Sequence, residues 1–314
     1  MSILFCNSPI ESLDSLYDNR IYIKREDKLP FSFGGNKVRF AEAFIEDMKS
    51  QGKNAIISYG SKSSNLCRVM AQMCFDNHIP CAVVYSQNEE NNTCNSRIVS
   101  SLNVREYVCG KTSVSETVQK AIDDFVRDGF NPYYIYGNIK GEGNELTPAN
   151  SYKAVFDEII GFENENNLSF DYIFLATGTA ATYSGLFIRA CELQKHTKII
   201  GISVARDKDK CTSVISNNLR TYFGENFNGE ITVTDEYLFG GYGKTSENEL
   251  SEIDFIYDKY GIPLDPTYTG KAFFGMKEYL KKHNIQNKKV LFIHTGGYPL
   301  FCDYKGISLQ GETL

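Results

Sequence analysis

Two glycines and an asparagine deliver a lysine to the mouth of an expected helix in the stretch Phe31-Ser32-Phe33-Gly34-Gly35-Asn36-Lys37-Val38-Arg39. Glycine lets backbone come close to a ligand, and a helix N-terminus presents unpaired N–H groups with a partial positive charge. An ammonium beside that positive end, partly desolvated, is pushed below its ordinary pKa of about 10.4. Neutral near pH 7, such an amine attacks an aldehyde, which is the chemistry of a Schiff-base lysine for pyridoxal 5′-phosphate (PLP). The plainer alternative is a solvated lysine in a glycine turn.

Other loops carry polar groups of the kind a ligand needs. Gly60-Ser61-Lys62-Ser63-Ser64-Asn65 is rich in hydroxyls, and Thr177-Gly178-Thr179-Ala180-Ala181-Thr182 opens a helix. The second suits a phosphate, because backbone N–H groups and hydroxyls donate and the helix dipole favours the anion. Phe239-Gly240-Gly241-Tyr242-Gly243, Asp265 to Lys271 and His294-Thr295-Gly296-Gly297 complete the set. His294, inside a glycine turn, reads as structural rather than as a general base. Cys67 reads as a small apolar filler on a helix.

Stepping outward from these loops, the hydrophobic pattern alternates strand and helix. Strands are expected at Ile21–Lys24, Ala55–Tyr59, Cys81–Tyr85, Val104–Val108, Tyr133–Tyr136, Tyr172–Ala176, Ile199–Val204, Ile231–Thr234 and Val290–Ile293. Helices are expected from Lys37 to near Gly52, from Leu66, and over Thr93–Ser101, Ser113–Val126, Pro148–Ile160, Tyr183–Gln194 and Glu247–Tyr260, with one more after Lys271. Asn88–Asn92 reads as a polar loop. This rhythm implies an α/β fold with a parallel sheet in each of two lobes, and such sheets gather their loops at one carboxyl edge, where ligands bind.

The 314 residues allow two lobes, and a net charge of −6 with no Lys/Arg block argues against nucleic acid as a partner. No apolar run approaches the about 18 residues of a membrane helix, so no membrane is expected. The N-terminal residues lack the pattern of a secretory signal, which makes a cytoplasmic location the expectation. Nine cysteines without a C-x-x-C pair fit reduced thiols, and four histidines without H-E-x-x-H or H-x-x-H spacing offer no metal site. Gly110-Lys111-Thr112 and Gly243-Lys244-Thr245 end like phosphate-binding loops, but Arg105 and Leu238 stand where the leading glycine belongs. No G-x-G-x-x-G run supports a dinucleotide.

Six segments, in order, resemble the fold-type-II PLP enzymes, and within them the group of D-cysteine desulfhydrase and 1-aminocyclopropane-1-carboxylate (ACC) deaminase. They are Lys24-Arg25-Glu26-Asp27, Phe33 to Lys37, Ser64-Asn65, the turn from Thr177 to Gly185, Tyr268-Thr269-Gly270-Lys271, and His294 to Gly297. The resemblance implies a tryptophan-synthase-β-like architecture, parallel sheets flanked by helices, with a large discontinuous lobe of residues 1–48 and 150–314 around a small inserted lobe of 49–149. It implies that Lys37 holds PLP as a Schiff base and that Asn65 bonds the cofactor's 3′-oxygen. Thr177, Gly178, Thr179, Ala180, Ala181 and Thr182 would cradle the phosphate. Ser64 would touch the substrate carboxylate or help move the α-proton, while Leu66, Tyr242 and Tyr268 would line the substrate side. Thr295, or alternatively Thr269, would meet the pyridine nitrogen. Relatives are commonly homodimers.

Three departures bear on substrate. Ala180-Ala181 replace a glycine pair common in relatives, which is tolerable only if both have negative φ. Leu66 stands where relatives often place a polar residue. Thr269 follows Tyr268 where ACC deaminases resemble one another in having glutamate. A carboxylate keeps the pyridine nitrogen protonated and makes the ring a strong electron sink, whereas a hydroxyl does not. The expectation is therefore α,β-elimination on a small amino acid with a Cβ leaving group, giving pyruvate and ammonia. A β-replacement synthase, an ACC-deaminase-like reaction and a non-catalytic ligand-binding protein on the same fold are the alternatives.

Overall fold

The computed structural model describes residues 6–86, 93–110 and 112–307, so the expected Asn88–Asn92 loop lies outside the described residues. In chain order the elements are β1 (Ile10–Ser12), β2 (Arg20–Arg25), α1 (Lys37–Ser50), β3 (Ala55–Gly60), α2 (Asn65–Asp76), β4 (Cys81–Ser86), α3 (Cys94–Ser100), β5 (Arg105–Cys109), α4 (Val114–Arg127) and β6 (Pro132–Tyr134). They continue with α5 (Leu146–Ser151), α6 (Lys153–Glu165), β7 (Tyr172–Thr177), α7 (Ala181–Glu192), β8 (Lys198–Ser203), α8 (Lys208–Phe223), β9 (Thr232–Thr234), α9 (Glu247–Tyr260), α10 (Thr269–Lys282), β10 (Lys289–His294) and α11 (Tyr298–Tyr304).

Two sheets result. One has the order β1-β2-β10-β7-β8-β9, the other β5-β4-β3-β6. Nearly continuous apolar runs such as Val290 to Ile293 are buried because helices cover both faces. The smaller sheet is wholly parallel, but the larger has an antiparallel edge, Ile10 pairing with Lys24, which the sequence reading lacked. Pairing of Arg25 with His294, Leu175 with Ile293 and Thr177 with Ser203 brings the ends of β2, β10, β7 and β8 to one edge. A single apolar cluster runs unbroken between the sheets, from Ile56 and Tyr133 through Phe44 and Met48 of α1 to Ile173 and Leu291.

Other differences have local causes. The helix expected over Pro148–Ile160 is two helices broken at Tyr152, whose buried ring packs edge-on against Phe40. The sequence reading missed α8, which fully buries only Cys211, Ile215, Asn218 and Leu219 within a polar run, and it missed the short α11.

Beneath α1 lies a buried ionic cluster built from the Lys24-Arg25-Glu26-Asp27 segment. Arg39 Nε donates to Glu26 Oε2 at 2.8 Å and Arg39 also pairs with Glu158 Oε1 at 2.8 Å. Lys24 Nζ meets Glu158 Oε2 at 2.6 Å, and the Ser8 hydroxyl donates to Glu26 Oε1 at 2.6 Å. Burial alone would push the Glu26 carboxyl up, but the charge of Arg39 beside it holds it below the usual range.

Candidate active site

Lys37 is the first residue of α1, held there by backbone contact between two loops. Gly35 N–H donates to Glu26 O at 2.8 Å and Asn36 N–H to Thr295 O at 3.0 Å. A Cβ on Gly296, which has φ +99°, would lie 2.5 Å from Gly35 Cα, so the β2 and β10 loops touch only because both residues are glycine. The Asn36 amide donates to Thr182 Oγ1 at 2.8 Å and ties the start of α1 to the start of α7. Lys37 Nζ rests over the Phe40 ring, 4.5 Å from its centroid, and burial lowers its pKa to about 8. The amine of the sequence reading is thus a readily neutralised one.

It opens into a cavity of about 410 Å³ at the shared carboxyl edge. Every proposed site residue lines this cavity except Thr269, the alternative to Thr295, and Ala181, which lines a smaller adjoining one with Lys37 and Phe40. Ser64 caps α2, its Oγ accepting from Cys67 N–H at 3.2 Å, which leaves the hydroxyl proton free to donate. Asn65 Oδ1 accepts from Asn95 Nδ2 at 3.0 Å, and Asn95 is itself fixed by donating to Ser63 O at 2.7 Å. That bond orients the amide with its oxygen towards Asn95, which leaves the Asn65 NH₂ to donate to a ligand, the group a phenolate oxygen requires. Tyr242 and Tyr268 share a hydrogen bond between their hydroxyls at 2.6 Å. Lys271 steadies that side of the cavity by donating to Leu238 O and Gly241 O of the glycine loop, each at 3.3 Å.

The two threonines considered for the pyridine nitrogen part company. Thr295 lines the cavity. Thr269 is fully buried outside it, its hydroxyl donating to Asp265 Oδ2 and accepting from Asp265 N–H, both at 2.8 Å. Asp265, whose carboxyl burial pushes up, also takes N–H bonds from Thr267 and Tyr268. His294 accepts from Gly296 N–H at Nδ1, and burial keeps its pKa low, as suits a structural residue.

Negative φ at both alanines of the phosphate turn was the condition set by the sequence, and Ala180 breaks it with φ +72°. A left-handed alanine costs about 1–2 kcal/mol. Ala180→Gly is therefore expected to raise stability by about 1 kcal/mol. A lower denaturant midpoint in the variant would contradict this.

Sequence reasoning did not single out Asn36, Tyr59, Asn95, Tyr136 or Arg206. Asn36 was adjacent to the lysine and could have been chosen. Asn95, Tyr136 and Arg206 sit in ordinary local contexts, and only the folding of distant segments brings them to the cavity or behind it.

The residues fit a phosphorylated aldehyde. The cavity pairs an amine near pKa 8 with a helix N-terminus whose first N–H groups have no intrahelical partner, and among the described residues no Asp or Glu lines it to repel the phosphate. The pyridoxal-phosphate dependent enzyme family matches over residues 2–296. The chain is 29% identical over 312 residues to a D-cysteine desulfhydrase of Yersinia enterocolitica, covering 95% of this chain and 93% of the relative. It is 28% identical to one of Serratia proteamaculans over the same shares. An ACC deaminase homologue of solved structure superposes with a TM-score of 0.84 at 26% identity, covering 97% of this chain and 94% of the other. On this fold, with this lysine and this turn at one sheet edge, the chain belongs to the pyridoxal-phosphate dependent enzyme family and has its fold-type-II architecture.

Proposed function

We propose that the chain catalyses α,β-elimination on a small amino acid bearing a Cβ leaving group, as D-cysteine desulfhydrase does, releasing pyruvate and ammonia. The observation that carries this reading is that, among the described residues, no carboxylate lines the cavity, where hydroxyls and amides surround Lys37. PLP, when bound, supplies an electron sink for the pair left behind at Cα. Lys37 would hold the cofactor, Asn65 would donate to its 3′-oxygen, the Thr177–Thr182 turn would bind its phosphate, and Thr295 would meet its ring nitrogen.

The chain's own groups handle the protons. Lys37 Nζ, neutral in a useful fraction near pH 7, or Ser64 Oγ at the N-terminus of α2, takes the Cα proton. The partial positive end of α2 also favours the substrate carboxylate. The Tyr242–Tyr268 pair stands on the opposite loops to donate to a departing thiolate. For cysteine the balance is one water consumed, with hydrogen sulfide, ammonia and pyruvate formed. We further propose that the enzyme is a cytoplasmic homodimer, with lobes divided at 1–48 plus 150–314 and 49–149. The placement of β3 to β6 in their own sheet supports the division. Among the described residues no helix is long and apolar enough to cross a membrane.

D- and L-cysteine, β-chloroalanine, O-acetylserine and ACC, assayed for pyruvate and 2-oxobutyrate, test the reading. Pyruvate from the Cβ-substituted amino acids is expected. Dominant 2-oxobutyrate from ACC, or products carrying an added thiol in place of pyruvate, would overturn it, and sedimentation as a monomer would remove the dimer.

A further inference from the structure

Among the described residues, two side chains that line the cavity are basic, Lys37 and Arg206. Lys37 is committed to the aldehyde. Arg206 makes no ion pair among the described residues, and its guanidinium donates to the carbonyl oxygen of Gly178, within the turn that opens α7. Its backbone is pinned twice by the buried Ser203, whose hydroxyl donates to Arg206 O at 2.6 Å and accepts from Arg206 N–H at 3.3 Å. Such fixing makes the guanidinium a built part of the edge rather than a wandering surface charge.

Its position says which anion it serves. Along the edge the strands run β2, β10, β7, β8. Lys37 follows β2, Thr295 ends β10, the Thr177–Thr182 turn ends β7 and Arg206 ends β8, so Arg206 flanks the turn on the side away from Lys37 and Thr295. A phosphate monoester carries about −1.5 to −2 charges at pH 7, and a helix N-terminus offers about +0.5. Neither acid nor base stands in the first turn of α7 to alter that sum.

We propose that Arg206 is the charge-balancing residue for the cofactor's phosphate. The proposal rests on the reading that the Thr177–Thr182 turn holds that phosphate. It predicts that Arg206 governs how strongly the protein prefers the phosphorylated aldehyde over pyridoxal, which lacks the phosphate.

The test is equilibrium titration of apoprotein with PLP and separately with pyridoxal, for the unmodified chain, Arg206→Gln and Arg206→Lys, followed by absorbance. Loss of one charged contact is expected to weaken PLP by about 10- to 100-fold. Pyridoxal binding should change less than about twofold, and Arg206→Lys should recover part of the loss. The salt dependence of PLP binding should flatten in Arg206→Gln. Unchanged PLP affinity in Arg206→Gln would overturn the proposal. Equal weakening of both aldehydes would overturn it in favour of a structural role, and a raised KM with unchanged PLP affinity would overturn it in favour of the substrate carboxylate. If the unmodified chain fails to prefer PLP over pyridoxal, the phosphate turn itself has been misassigned.

Discussion

Replacing Lys37 by alanine removes the visible absorption band of the PLP-loaded protein and lowers turnover by about 10³-fold or more, the scale lost with a principal proton-transfer group. The same amine sets a pH dependence on reconstitution. With a pKa of about 8, caused by burial, about one amine in ten is neutral at pH 7, against about one in three thousand at the ordinary value. Uptake of PLP by the apoprotein should therefore quicken from pH 7 to 9 and level off above. A visible band retained in Lys37→Ala, borohydride fixing the label to another lysine, or an uptake rate flat across that window would each remove Lys37 from its assigned place.

The second large effect lies outside the cavity. Arg39→Met leaves Glu26 and Glu158 buried with only Lys24 to answer them, and stripping one partner from a buried ionic cluster costs about 3–5 kcal/mol. The sign with pH follows from Glu26. Its folded pKa is depressed, so its contribution is present above the unfolded value near 4.5 and lost as pH falls through the folded one. Without Arg39, burial dominates and raises the folded pKa, so the variant is penalised most at neutral pH. Urea denaturation should show a gap between the two proteins that narrows from pH 7 towards pH 4. A constant gap would mean that the loss is one of packing alone.

Much of this was legible because strands, helices and glycine turns leave local signatures. Lys37, Ser64-Asn65 and Thr177–Thr182 were found because each sits where a strand gives way to a helix, and Glu247–Tyr260 was bounded as the structure has it. What escaped depended on contacts between distant segments. Asn95 bears on the site through Asn65, thirty positions earlier, and Arg206 is brought to the cavity beside Gly178, twenty-eight positions earlier. The choice between Thr269 and Thr295 needed the knowledge that Asp265 occupies the first. The positive φ of Ala180 is a property of the turn's backbone, and side-chain type carries no mark of it.

The inserted sheet has a core of its own on one face, where Val118 and Phe125 of α4 pack with Ile57, Val84 and Tyr134, and on the other it shares the apolar layer that passes through α1. Phe44 packs its ring near Tyr133 of β6 and belongs, with Met48, to the cluster that reaches Ile173 and Leu291, so melting the larger sheet bares one face of the smaller. Heat should therefore dismantle the whole chain in one cooperative step, and an excised 49–149 fragment would be left with its sticky underside facing water.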